Sequence, residues 1–393
     1  MAIKGYILAE KEYLVNMRRQ FHAHPEVSLK EFETCKTIER ELDSMGIPHR
    51  RVGETGVYGW IDGKKAGDGK IIVLRADIDA LAMDDLKDVP YCSQNSGVCH
   101  ACGHDAHTAT LLGAAKVLKQ KENEFSGQVR LFFQQAEEIG QGGRLFVQEN
   151  LLDGAARVFG AHVASGLASG KIALTKGPQN ASCDYFKIKI KGRGAHVSMP
   201  HLGVDAAYIA AQVLVALQSI VARNTNPLET VVVGVGVLRA GTQYNIIAED
   251  AELEGTTRCF LPEVRNFTNE RIRQIAEHTA EMYGGTAEVE FRDYAAPLIN
   301  DGQAVEEVTQ VVERFWPKEK IVPDFEKALG ADDFADFLAV TKGMYAFVGT
   351  GNPENPNTMV AHHHGLFDID EEAMLLSCNA YVDYALWVLQ EMA

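Results

Sequence analysis

The chain has 393 residues, 46% of them hydrophobic, with 54 Asp and Glu against 38 Lys and Arg and a formal charge of −16. So acidic a chain, whose basic runs are mere pairs such as Arg50-Arg51, offers no clustered basic face for nucleic-acid phosphates. No apolar run is read as reaching the roughly 18–20 residues that span a bilayer, the first residues lack the basic-then-apolar pattern of a secretory signal, and seven scattered cysteines suit reduced thiols, so a cytoplasmic protein without a membrane partner is expected.

The length points to two domains. An amphipathic helix is predicted from about Ala9 to His22 and another from about Leu29 to Met45, followed by strand-like apolar runs at Lys70 to Arg75 and Gln128 to Gln134. Alternation of this kind predicts an α/β sheet. A helix should begin near Asp105 to Thr108 and run through Leu118, which puts Cys102 and His104 in the turn just before it. Strand ends and helix starts are where α/β proteins place their chemistry.

From about Ser182 the texture changes, and Tyr185 to Lys191 alternates apolar and basic residues as a half-exposed antiparallel strand does. A helix near Val204 to Ala222, strands over Glu229 to Val237 and Ile246 to Arg258, a helix near Pro262 to Tyr283 and a strand at Thr286 to Arg292 follow. That order describes a small α+β sandwich. From Asp293 the chain returns to mixed α/β character and ends in an apolar helix from Glu371 to about Leu389. The expected fold class is therefore α/β with two domains: a mixed α/β catalytic domain from residues 1–181 and 293–393, and an α+β domain, residues 182–292, inserted into it.

The stretch His100-Ala-Cys-Gly-His-Asp-Ala-His107 brings a thiol, three imidazoles and a carboxyl into one short piece of chain. Cys102 and His104 offer soft and borderline donors that suit zinc or a similar first-row ion, and Gly103 frees the backbone to turn both inward. Further donors follow apolar runs. Glu137 and Glu138 close the run Val129 to Phe133, and two adjacent carboxylates after a buried strand are costly unless cations neutralise them. The division of labour this suggests has Glu138 as ligand and Glu137 as general base, because a ligating carboxylate is too weak a base to do both. His162 ends the run from Arg157, where a parallel strand delivers a side chain to the sheet edge, and at least one of His362, His363 and His364 should be a ligand. Asp77 or Asp79 would orient an imidazole. The plainer readings are a buried thiol for Cys102, a solvated acidic loop for the Glu pair, a hydrogen-bonded core histidine for His162 and a capped turn for the Asp pair.

Arg75-Ala-Asp-Ile-Asp-Ala-Leu81, His100 to Thr108, Gln134-Gln-Ala-Glu-Glu138, Gly194-Ala-His-Val197 and Phe367-Asp-Ile-Asp-Glu371, in this order, resemble the successive signatures of the M20 metallopeptidase family, in its aminoacylase, hippurate hydrolase and auxin-conjugate amidohydrolase branch. The likeness runs from Phe21-His-Ala-His-Pro-Glu26 to the C-terminal helix. It implies two divalent ions per chain, Zn2+ or Mn2+ with Co2+ or Ni2+ also tolerated, held by Cys102, His104, Glu138, His162 and His363, with Glu137 as the base and Asp79 as a supporting catalytic carboxylate. It further implies that the inserted domain covers the site and mediates a homodimer or higher homo-oligomer. His196 would polarise the substrate carbonyl, and Asn245 and Arg258 would grip the free carboxylate of an N-acyl amino acid.

Some positions depart from the family pattern. Ala82 stands where Pro is usual, Cys99 replaces a common Met, Gln135 replaces a Pro, Asp332 and Asp333 lie where Glu is commoner, and the tail reads His363-His-Gly, which leaves His362 as an alternative to His363. The expected activity is metal-dependent hydrolysis of the amide bond of N-acyl amino acids. The rivals are a dipeptidase of the same family and a metal-binding protein without catalysis; structural zinc sites seldom carry a spare carboxylate such as Glu137, which counts against the second.

Overall fold

A parallel sheet covered on both faces needs strands that are apolar throughout, and Ile71–Asp77 is buried at every residue after its first. In the computed structural model, which describes residues 2–392, this strand lies between Gln128–Gln134 and Ala155–Ala168, and Gly343–Gly351 continues the parallel set beside Ala155–Ala168. Gly56–Asp62 and His49–Val52 extend the sheet antiparallel on one side, and the short strands Ile172–Ala173 and Ile321–Val322 extend it on the other, giving eight strands. Helices Lys11–Ala23, His104–Gln120 and Ala373–Gln390 fill one large core through Leu14, Phe21, Leu111, Leu112, Leu376 and Tyr384. Phe132 meets Phe146 of the helix Gly142–Gln148 and Phe337 of the helix Phe334–Leu338, with ring centroids 4.7 and 5.7 Å away.

The chain divides into two compact units. The first comprises the residues through Gly177, Ile299–Glu326 and the residues from Asp332 on; the second comprises Pro178–Leu298 and Lys327–Ala331. The divisions fall a few residues from those read off the sequence. Residues 327–331 join the second unit because Ala328 exchanges backbone hydrogen bonds with Gln179 and Ala181.

The second unit is an antiparallel sheet in the order Thr286–Ala295, Cys183–Lys191, Asp250–Cys259, Val231–Ala240. Its period-two pattern turns Phe186, Ile188 and Ile190 onto Ile209, Val213 and Leu217 of the helix Ala206–Ser219 and Ile272 and Ala276 of the helix Pro262–Met282. The helical stretch Ala206–Asn224 has 19 residues and is long and apolar enough to cross a bilayer by length and composition, contrary to the sequence reading. The core takes one face of it, while Tyr208, Val215 and Val221 remain exposed.

Two further expectations need correction. His104 is the first residue of its helix rather than part of the turn before it, since the chain turns one residue earlier, at Gly103. His162 does not end its strand: pairing with Gly343–Gly351 carries Ala155–Ala168 on past it, through Val163 opposite Val348.

Candidate metal centre

Gly103 precedes the helix His104–Gln120 with φ of +91°, a left-handed conformation that favours glycine, and a Cβ there would stand 2.3 Å from the Val163 side chain. This turn sets Cys102 and His104 side by side. The His104 Nδ1 lies 2.9 Å from the Asp79 carbonyl oxygen and 3.3 Å from Asp79 Oδ1; both are acceptors, so Nδ1 carries the proton and the Nε2 lone pair faces the centre. Asp79 also accepts from the Ser28 hydroxyl at 2.6 Å and from the Glu138 amide at 3.0 Å. Burial alone would raise the Asp79 carboxyl, yet its bonds from His104 and Ser28 hold it below its ordinary range. The open choice between Asp77 and Asp79 thus has a geometric answer for His104. Asp77 instead meets His107, at 2.5 Å from its Nδ1, and accepts from Arg75.

Glu137 and Glu138 sit in the turn after the strand Gln128–Gln134. The turn is forced by Ala136, a non-glycine residue at φ of +55° whose N–H donates to Glu31 at 2.9 Å. Glu138 Oε2 lies 3.5 Å from His363 Nε2, and Glu138 Oε1 lies 3.9 Å from His104 Nε2. His363 is itself strained, at φ of +61°, and its N–H donates to Ala101. On the other side Cys102 Sγ lies 3.5 Å from His162 Nε2, whose ring is turned by a 2.6 Å bond from Nδ1–H to the Val163 carbonyl.

Two donor groups result, Cys102–His104–Glu138 and Cys102–His162–His362, each with ligand atoms within 4.8 Å of one another and with Cys102 common to both. His363 reaches the first group through Glu138, so both candidates from the histidine run are at the centre.

These side chains fit divalent cations. Tetrahedral bonds of zinc length put neighbouring N, O and S donors about 3.5 Å apart, which is the separation of the pairs Cys102–His162 and Glu138–His363. His104 Nε2 and Glu138 Oε1 are buried with no hydrogen-bond partner, a costly state that a cation relieves. The electrostatics agree. Burial first and then the Glu138 charge push the Cys102 thiol well above its usual range, and burial lifts Glu138 to about 7. Burial opposes a charged His104, but Asp77 and the Cys102 sulfur raise it well above its ordinary value. Each shift reports the same demand for positive charge.

Sequence reasoning passed over the ground beneath Glu137. Glu137, Asp332 and Asp333 bring carboxylate oxygens within 4.8 Å of one another, all buried. Burial, and then Asp332 and Glu138, hold the Glu137 carboxyl well above its usual range. Arg75, 1% exposed, spans the cluster from below, donating to Asp77 at 2.6 Å, Asp333 at 2.9 Å and Gln134 at 2.8 Å. The sequence signal was the adjacent Asp pair just before the short helix Phe334–Leu338, noticed only as a departure from a pattern.

His196, Asn245 and Arg258 belong to the second unit. Asn245 and His196 lie on adjacent chain segments, the Asn245 carbonyl accepting from Val197 N–H at 3.1 Å, and the Ser198 hydroxyl lies 2.7 Å from His196 Nδ1. Arg258 is half-buried, its Nη1 donating to the Thr256 hydroxyl and to the Thr257 carbonyl at 2.9 Å.

A family model described as peptidase family M20/M25/M40 matches residues 73–386. The chain belongs to this family. As a member of peptidase family M20/M25/M40 it is an amide-bond hydrolase. Among its relatives, an N-acetylcysteine deacetylase of Bacillus subtilis (strain 168) is 37% identical over 388 residues, covering 98% of this chain and 99% of the relative. Thermostable carboxypeptidase 2 of Saccharolobus solfataricus is 36% identical over 98% of this chain and 97% of its own. The crystal structure of the Bacillus subtilis YXEP protein, described as a dinuclear metal-binding peptidase of family M20, superposes with a TM-score of 0.84 at 35% identity, covering 98% of this chain and 99% of that one.

Proposed function

We propose that this chain is a two-metal amidohydrolase that cleaves N-acyl amino acids, with Cys102, His104, Glu138, His162 and His363 as ligands. One observation carries the proposal: donors of three chemical kinds, from chain segments far apart, converge beside a further buried carboxylate, Glu137, whose Oε2 lies 3.9 Å from His104 Nε2. Relatives that deacetylate N-acetylcysteine and bind two metals favour it. Two divalent cations held there supply Lewis-acid polarisation and acidify water. Glu137 takes a proton from the attacking water, whose oxygen bonds to the scissile carbonyl carbon, and delivers it to the departing nitrogen as the C–N bond breaks. The products are a carboxylic acid, which gives up its remaining proton to water, and an amino acid. Asp79 fixes His104 in the ligating tautomer.

For the second unit we propose the roles the family likeness implies. Arg258 and Asn245 grip the substrate carboxylate, His196 polarises its carbonyl, and the unit joins two copies of the chain; exposed Val215, Leu228 and Tyr244 are candidates for such a junction. Seven free thiols suit a reducing, cytoplasmic setting.

The carboxypeptidase relative favours a second reading, cleavage of peptides. Protein reconstituted in turn with zinc, manganese, cobalt and nickel, assayed against N-acyl amino acids and dipeptides, decides between them. Hydrolysis confined to the acyl panel is expected, with two ions per chain by elemental analysis; turnover of dipeptides alone would overturn the substrate class. Asp79→Ala should weaken metal binding by about 10–100-fold in chelator competition. Unaltered affinity would remove Asp79 from its supporting role.

A further inference from the structure

The third imidazole of the eight-residue motif is not used by the chemistry above, although its ligand nitrogen falls within 4.8 Å of those of His104 and His162. His107 is 4% exposed, and its Nε2 lies 3.0 Å from the Val163 amide nitrogen. A backbone N–H can only donate, so Nε2 is the acceptor and its lone pair is already used. The ring proton therefore sits on Nδ1, 2.5 Å from Asp77 Oδ1, while Asp77 Oδ2 accepts from Arg75 at 2.6 Å. The tautomer is the same as that of His104, so what keeps His107 from acting as a ligand through Nε2 is the Val163 N–H that already occupies that lone pair.

The bond is needed because of where Val163 lies. Pairing between Ile71–Asp77 and Ala155–Ala168 ends at Arg75 opposite Gly160. Past that point the ladder no longer satisfies this edge, and a buried amide left without an acceptor is destabilising. The same residue's carbonyl accepts from His162 Nδ1 at 2.6 Å. One residue thus has its N–H held by His107 and its C=O holding His162, whose ring centroid is 4.5 Å from that of His107.

We infer that His107 is a positioning residue: held by Asp77, it fixes Val163, and Val163 aims His162 Nε2 at the metal centre. The inference rests on the proposed ligand role of His162. Arg75, Asp77, His107, Val163 and His162 then form one continuous chain of hydrogen bonds, and loosening it at His107 shifts the His162 donor while leaving the other ligands in place.

Two substitutions separate the two ends of the ring. His107→Asn keeps a donor toward Asp77 but is too short to reach the Val163 amide; His107→Gln has an acceptor near the position of Nε2. In zinc titrations against a chelator, H107N should bind one of its two ions about 10–100-fold more weakly, with an altered cobalt d–d spectrum, and H107Q should restore both ions and the spectrum. Wild-type affinity and spectrum in H107N, or equal losses in both variants, would overturn the inference. A wild-type protein that holds fewer than two ions overturns the reading of the site and this inference with it. Should H107N fail to fold, long-range 15N–1H spectra of histidine-labelled wild-type protein give the same decision. A neutral His107 with its proton on Nδ1, unchanged as zinc is added, is expected; a metal-bound or protonated Nε2 would refute it.

Discussion

Glu137→Gln should lower kcat by about two to four orders of magnitude while both ions remain bound and KM changes little. Glutamine has the size and hydrogen-bonding outline of the carboxylate but cannot carry a proton from water to a leaving amine. Distance to His104 does not separate the two glutamates, each of which lies 3.9 Å from its Nε2, so the role proposed for Glu137 rests on its burial among carboxylates. Glu137 is 6% exposed, and burial together with Asp332 and Glu138 raises its carboxyl, so its basicity exceeds that of an exposed glutamate. Cations at the neighbouring donors would oppose that rise, since positive charge favours the carboxylate that accepts the proton. Glu138→Gln should behave differently: its oxygens lie 3.5 Å from His363 and 3.9 Å from His104, so metal content falls along with turnover. Elemental analysis beside steady-state kinetics separates the two. Near wild-type kcat in E137Q, or loss of metal from it, would take the proton-transfer role away from Glu137.

The parts of the molecule that local chemistry dictates were legible. Helix His104–Gln120 follows a glycine hinge and a buried apolar run, and the strand Cys183–Lys191 shows its half-exposed face as alternating lysines. Gly343–Gly351 was not legible as a central strand. Its first, seventh and ninth residues are glycines, which locally argue against a strand. A Cβ on Gly343 would stand 2.1 Å from the Val158 carbonyl oxygen and one on Gly349 equally close to that of Ala168, so the glycines answer to neighbours far away in sequence. The candidate site divides the same way. Donor types and their order were readable because ligand chemistry limits them to a few side chains. Which imidazole donates its lone pair to a metal was not, because that depends on the Val163 amide facing His107 and the Asp79 carbonyl facing His104. Asp333 meets Arg75 across 258 positions, a distance no periodicity bridges.

That same arginine carries the second large effect. Arg75→Met should destabilise the first unit by about 3–5 kcal/mol, the range for removing one partner of a buried ion pair, against a total of about 5–15 kcal/mol for a folded domain. Methionine matches the stem in length and apolar character, so the loss is of charge rather than packing. The Asp77 carboxylate would keep its contact with His107 and the His104 ring 3.8 Å away, and Asp333 would keep Gln134 and the Gly143 amide, with no guanidinium for either. Burial already lifts the Asp333 carboxyl to about 8 even with Arg75 beside it, so the buried anion that loses its guanidinium is chiefly Asp77, whose carboxyl, despite burial, His104 and Arg75 hold well below its ordinary range. Arg75→Lys should fall between, because a single ammonium cannot reach Asp77, Gln134 and Asp333 together as the planar fork does. The three tryptophans, Trp60, Trp316 and Trp387, all belong to the first unit, so their fluorescence during urea unfolding reports on it alone. A midpoint for R75M equivalent to less than about 1 kcal/mol of destabilisation, the level of an exposed salt bridge, would mean that the carboxylates beneath Glu137 do not depend on Arg75 for their charge.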